Sequence, residues 1–256
     1  MVSNLLSISE PSNSLEWMIF LLQKYSNMFI QGTLITLYVA VVGTIVGFVL
    51  GYVVGIVQDI RINSEDNIVK KGLVKLLKGI CWVYVEVFRG TPMIVQGMIV
   101  YYGLRQAGVE ITPITAGILV TVLNTGSYMS ETVRAGIKSI DPGQREGALA
   151  LGMSPMGAMI NVIIPQAFKN IMPEMANTFL TNLKMTSVLN VIGISELFMV
   201  AKTTGGTYYK YFEAYLNIAV IYLVLCFVFS RLFMLLEKKM AGKKDYVLAV
   251  EYMDNQ

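Results

Sequence analysis

From Met28 to Gln58 the chain carries no charged side chain. About 20 apolar residues suffice to cross a bilayer as a helix, so this run spans with room for tilt. Composition agrees with that reading. Of 256 residues, 55% are hydrophobic and 14% charged, with a mean hydropathy of +0.59. Soluble domains carry roughly 25% charged residues, and a surface facing lipid needs none. The sequence predicts an all-α integral membrane protein with about five transmembrane helices.

Gly43, Gly47, Gly51 and Gly55 recur along that run at every fourth position, which is one stripe of a helix. In lipid, small residues let backbones approach, so the stripe predicts a helix–helix contact, with the chain's own helices or with a partner. Ahead of it, Leu15, Met18, Ile19, Leu22 and Tyr25 fall near helical spacing, with Trp17 as an interfacial anchor. Residues 1–26 thus read as a polar tail, holding Glu10 and Glu16, and an interfacial helix. The start of the chain lacks the basic region and small-residue cleavage site of a signal peptide.

Beyond Asp59 a polar loop to Gly79 carries Arg61, Lys70, Lys71, Lys75 and Lys78, its second half an amphipathic surface helix. A second span covers about residues 80–104, kinked at Pro92. It contains Glu86 and Arg89, costly at membrane depth and free to pair with each other or to meet a solute. Thr112-Pro113 starts a third span to about residue 129, with Asn124, Ser127 and Glu131 toward its inner end. A fourth span at about 171–200 presents Asn177, Thr181, Lys184 and Ser187 on one face, which lines an aqueous path or another helix. A tyrosine-rich loop at 201–212 and a fifth span at 214–230 follow.

Between spans three and four, Asp141 to Phe168 differs from everything around it. Asp141 is a good N-cap, Pro142 suits the first helical position, and Gln144 stands at the capping-box position. Gly152 can close that helix in a left-handed conformation. Ser154-Pro155 repeats the start signal, and Pro165 is expected to end the second piece. Two short helices at an angle, with Glu146 exposed at the membrane surface, form a docking knob for a soluble partner.

Orientation follows from the basic residues. Arg61, Lys70, Lys71, Lys75, Lys78, Arg134, Lys138, Arg145, Lys169 and the tail residues Arg231, Lys238, Lys239, Lys243 and Lys244 fall on one side. Lys24, Arg105, Lys202 and Lys210 fall on the other. The positive-inside rule places the first set in the cytoplasm, with the N-terminus outside and the C-terminus inside.

Several chemistries are excluded. The chain has no histidine, so no His-based triad, metal site or proton relay. Cys81 and Cys226 read as small buried hydrophobes. No basic tract accompanies the net charge of +3, so nucleic acid is not a partner. No phosphate loop, nucleophile elbow or metal-ligand spacing occurs, so the chain is not itself an enzyme and any energy for pumping comes from another chain. A passive gated channel or facilitator for small polar solutes would account for the polar stripe alone. It would leave the knob without a purpose.

Gly143-Gln144-Arg145-Glu146-Gly147-Ala148 through Gly152, followed by Val162-Ile163-Ile164-Pro165-Gln166-Ala167, resembles the EAA loop of ABC-transporter permeases. Phe88-Arg89-Gly90-Thr91-Pro92 and Leu183-Lys184-Met185-Thr186-Ser187 look like patterns of the polar amino-acid uptake permeases. The resemblance covers about residues 25–240. It implies a transmembrane domain over 27–240 with its EAA loop at 141–168, a cytoplasmic tail over 241–256, and a multi-pass protein of the bacterial inner membrane. It also implies an ATP-driven amino-acid importer with an ATP-binding cassette ATPase dimer, a second permease subunit, identical or homologous, and an extracytoplasmic amino-acid-binding protein. ATP and Mg would sit on the partner ATPase, and this chain would bind no cofactor. Arg145, Glu146, Ala148 and Gly152 would couple to the ATPase. Glu86, Arg89, Thr91, Asn124, Ser127, Glu131, Asn182 and Lys184 are the candidate substrate-path residues. Two departures stand out: the family's first Ala is Gly147 here, and the Asp of its LKDTS element is Met185.

Overall fold

The computed structural model describes residues 11–60, 62 and 67–241. Arg61, Lys243, Lys244, Glu10 and most of the two tails lie outside the described residues. The described chain is built from helices, each traceable to its caps. Helix α1 (Ser14–Lys24) starts at Asn13, whose side chain accepts from the Glu16 amide. Helix α2 (Ser26–Asp59) is the charge-free run. Helices α3 (Ile68–Gly90) and α4 (Met93–Gln106) divide the second span at Thr91-Pro92. Helix α5 (Pro113–Lys138) begins at Thr112, whose hydroxyl accepts from Thr115. The amphipathic start expected in the 59–79 loop and the second span are one continuous helix, α3.

The most extensive contact is α2 against α5. The glycine stripe makes it possible. A β-carbon built at Gly47 would lie 2.7 Å from Thr125 Cβ, and one at Gly55 2.8 Å from the Ser130 carbonyl oxygen. The stripe therefore serves the chain's own helices. Asn182 locks the junction: its Nδ2 donates to Thr44 and Thr125 hydroxyls, both at 2.8 Å, joining three helices at one polar point.

The middle of the chain folds as helix α6 (Pro142–Ala150), α7 (Pro155–Ala158), a π turn (Met159–Ile163), helix α8 (Ile164–Met185) and a 3₁₀ segment (Thr186–Ile192). Pro165 does not end the helix as expected. The widened turn ahead of it leaves the carbonyl that its missing N–H cannot serve, and the helical run continues to Ile192.

The fourth span is also corrected. It breaks at Gly193, whose φ of +88° suits glycine, and resumes as α9 (Leu197–Tyr208) at 56° to the preceding run. Helix α9 occupies most of the expected 201–212 loop, leaving a turn at Tyr209-Lys210 before α10 (Tyr211–Ala241). Hydropathy could not register this break, because both arms are apolar. Helices α2 and α10 are each long and apolar enough to cross a membrane, and the bent pair ending in α9 makes up to three such spans.

Candidate functional site

The elbow at 141–158 is built as its cap residues require. Asp141 Oδ1 accepts from the Gly143 amide at 2.6 Å, with Pro142 in the first turn. At the other end Gly152 takes φ +82°. Its amide donates to the Leu149 carbonyl at 3.0 Å, and the Met153 amide reaches back to Ala148 at 3.1 Å. That pair of bonds is a Schellman closure. Ser154 Oγ caps α7 through the Gly157 amide at 3.1 Å. Gln144 does not fold back as a capping-box partner. Its Oε1 accepts from Gln166 at 3.3 Å and ties α6 to α8.

Ala148 is buried, Arg145 half-buried, and Glu146 and Gly152 exposed. Behind the elbow, Ile163, Ala167 and Ile171 pack with Phe48, Met129 and Val133 in one apolar cluster. A displacement of the elbow therefore reaches α2 and α5 through close-packed side chains rather than through a flexible linker.

The second feature is a cavity of about 420 Å³ at the break between α3 and α4, lined by Arg89, Thr91, Asn124, Tyr128, Met185 and Val188 among others. Its wall depends on a hydrogen-bond splice. Phe88 would ordinarily pair its carbonyl with the amide of residue 92, and Pro92 has none. Gln96 Nε2 replaces it, lying 2.9 Å from the Phe88 carbonyl, 2.9 Å from the Thr91 carbonyl and 2.9 Å from Thr91 Oγ1. Asn124 Nδ2 adds bonds to Gln96 Oε1 at 3.1 Å and to the Phe88 carbonyl at 3.2 Å. Gln96 is almost fully buried. Sequence reasoning passed over it because its partners are a main-chain gap and a residue on another helix.

Of the candidate path residues, Arg89, Thr91 and Asn124 line the cavity. The others are placed elsewhere. Ser127 is buried and donates to the Asn124 carbonyl at 2.7 Å. Glu131 pairs with Arg134 at 3.2 Å, one turn along α5. Asn182 is the three-helix junction, and Glu86 and Lys184 are exposed and outside the cavity lining. Among the described residues Glu86 and Arg89 form no ion pair. The Arg89 guanidinium lies over the Tyr128 ring, 5.5 Å from its centroid.

Glu196 is a further buried charge that the sequence reading missed. It is fully buried and caps α9, accepting from the Phe198 and Met199 amides at 2.9 Å each and from the Tyr222 hydroxyl at 3.1 Å. Gly193 followed by Ser195-Glu196 ahead of an apolar stretch is the stop-and-start signal that marks it. No group of three or more metal-ligating side chains converges among the described residues.

The comparisons with known proteins agree on one lineage. Residues 71–242 match the binding-protein-dependent transport system inner membrane component family. The chain is 37% identical over 177 residues to YxeN, a probable amino-acid permease protein of Bacillus subtilis (strain 168), covering 68% of this chain and 79% of that one. It is 40% identical over 159 residues to the arginine transport system permease protein ArtQ of the same organism, covering 61% and 72%. The crystal structure of an amino acid ABC transporter with histidines superimposes with a TM-score of 0.74 at 38% identity, over 85% of this chain and 96% of that one. The matched region holds the elbow and the spliced corner alike, and the chain belongs to the family of binding-protein-dependent transport system inner membrane components.

Proposed function

We propose that this chain is the translocating membrane subunit of an ATP-driven amino-acid importer. The amino acid arrives on an extracytoplasmic binding protein, a second permease subunit completes the path, and an ATPase dimer holding ATP and Mg docks on the cytoplasmic elbows. The C-terminus and elbow lie in the cytoplasm and the N-terminus outside. Of about five crossings, α3 with α4 forms the second and α5 the third. The domain runs over 27–240.

The observation that carries this reading is the elbow itself: Glu146 is exposed on a short helix that packs on the π turn, whose Ile163 joins the cluster of α2, α5 and α8. Closure of the ATPase dimer draws the elbows together, and the packed helices transmit that movement to the path. Arg145, Glu146, Ala148 and Gly152 form the dock. Arg89, Thr91 and Asn124 meet the solute. Glu86 and Lys184, both outside the cavity lining, and Glu131 farther along α5 supply charge elsewhere along the path, and Ser127 and Asn182 hold its wall.

The test is to purify the complex from membranes, identify its subunits and measure ATP turnover with the loaded binding protein. Glu146→Lys is expected to lower stimulated turnover by about tenfold, as loss of a docked charge pair does. Purification without an ATPase, or labelling that finds Glu146 outside the cell, refutes the reading.

A further inference from the structure

The cavity lining is chemically lopsided. It holds one guanidinium, Arg89, and no carboxylate. Neither acid among the candidate path residues lines it: Glu131 is paired with Arg134, and Glu86 is exposed outside the lining. A solute entering here meets a partner for an anion and none for a second cation.

Asn124 supplies the complement. Its Nδ2 is committed to Gln96 Oε1 and the Phe88 carbonyl. Turning the amide over would set its oxygen against the Phe88 carbonyl oxygen, so the network fixes the orientation. What remains for a solute is Asn124 Oδ1, an acceptor. A guanidinium and an amide oxygen in one cavity match the carboxylate and ammonium of an α-amino acid. Met93, Ile94, Met185 and Val188 give the rest of the wall an apolar face for a side chain, and its remaining polar side chains, Thr91 and Tyr128, are uncharged hydroxyls.

Resting on the importer reading above, we propose that this cavity selects amino acids with apolar, uncharged side chains, and that Met185 is a specificity-determining residue. Arg89 takes the carboxylate, Asn124 Oδ1 the ammonium, and the thioether of Met185 the side chain. A lysine side chain would be left as an unpaired cation beside Arg89, and a glutamate side chain would compete with its own α-carboxylate for the one guanidinium.

The experiment is equilibrium binding of radiolabelled L-methionine, L-lysine and L-glutamate to the permease–ATPase complex in nanodiscs, with the binding protein left out so that its selectivity does not enter. L-Methionine is expected to bind at least about tenfold more tightly than the other two. Met185→Glu is expected to lower the methionine-to-lysine ratio by about tenfold or more, while Met185→Leu keeps it. Met185→Gln serves if the glutamate variant does not assemble, with a smaller fall in the ratio. Equal binding of the three, no binding, or an unchanged ratio in the glutamate or glutamine variant overturns the proposal. ATP turnover with loaded binding protein, measured on the same nanodiscs, separates the two failures. If turnover responds while binding is unselective, the selectivity fails and the importer stands. If no amino acid stimulates turnover, the importer reading fails.

Discussion

Gln96 Nε2 lies 2.9 Å from the carbonyl oxygen of Phe88, the acceptor that Pro92 leaves without its helical partner. The break in the second span is thus a spliced corner, held by a side chain from the helix that follows and by Asn124 from α5. Arg89, Gly90 and Thr91, all on the cavity wall, sit on that corner.

Gln96→Met keeps volume and removes every bond that Gln96 makes, leaving the Phe88 carbonyl only its bond from Asn124. The half-buried Phe88 carbonyl then keeps one of its two side-chain donors and the Thr91 carbonyl loses its own, at a total cost of about 1–3 kcal/mol. The expected result is a lower thermal midpoint in detergent together with a raised KM for uptake, because Arg89 is no longer held over Tyr128. Gln96→Glu, which places an oxygen against the same carbonyls, is expected to show the same pattern. An unchanged KM in both variants would mean that the corner does not position the cavity.

The glycine stripe separates close approach from helix propensity. At Gly47 a β-carbon would come within 2.7 Å of Thr125 Cβ, whereas at Gly72 on α3 nothing lies within 4 Å. Gly47→Ala is expected to destabilise by about 1–3 kcal/mol through overpacking. Gly72→Ala is expected to be neutral or stabilising by up to about 1 kcal/mol. Thermal unfolding of the two variants in the same detergent makes the comparison.

Much of this fold is legible from residues. The run from Met28 to Gln58 declares α2 because it holds no charge, and Asp141, Pro142, Gly152, Ser154 and Pro155 declare the elbow because each sits where a cap or first turn needs it. What escapes the sequence depends on geometry that no local pattern encodes. Pro165 reads as a stop unless the π turn before it is known. Asn182 belongs to a polar stretch that reads as lining either an aqueous path or another helix, and only the rotation of α8 against Thr44 and Thr125 makes it a junction. Gln96 looks like one polar residue in an apolar helix until the missing amide of Pro92 gives it an acceptor.

Glu196 and Tyr222 give a coupled pair. The carboxylate satisfies the first amides of α9 and receives the Tyr222 hydroxyl at 3.1 Å. Glu196→Ala removes the cap and is expected to cost about 2 kcal/mol, while Tyr222→Phe costs about 1 kcal/mol. If the hydroxyl acts through the carboxylate, the double variant costs less than the sum of the two. Strict additivity in thermal unfolding would show that Tyr222 stabilises α10 by another route.

Gly152 tests the elbow as a transmitter. Its φ of +82° is tolerated by asparagine and aspartate among the side-chain-bearing residues, and no atom lies within 4 Å of a β-carbon placed there. Gly152→Asn therefore keeps the closure at a cost of about 1 kcal/mol and adds no charge. Gly152→Asp keeps the same shape and places a second carboxylate on the exposed surface that carries Glu146. Both variants are expected to insert in the membrane and to bind amino acid as the parent does, since the cavity at Arg89 and Asn124 lies on other elements. Their ATP turnover should separate. With the loaded binding protein, the asparagine variant retains most of the stimulation and the aspartate variant loses it by about tenfold, since like charge across a docking surface costs on the order of a kcal/mol or more. Equal stimulation in the two variants would mean that this surface does not face the ATPase. Equal loss would locate the requirement in the glycine backbone itself, at the Schellman closure that sets the angle between α6 and α7.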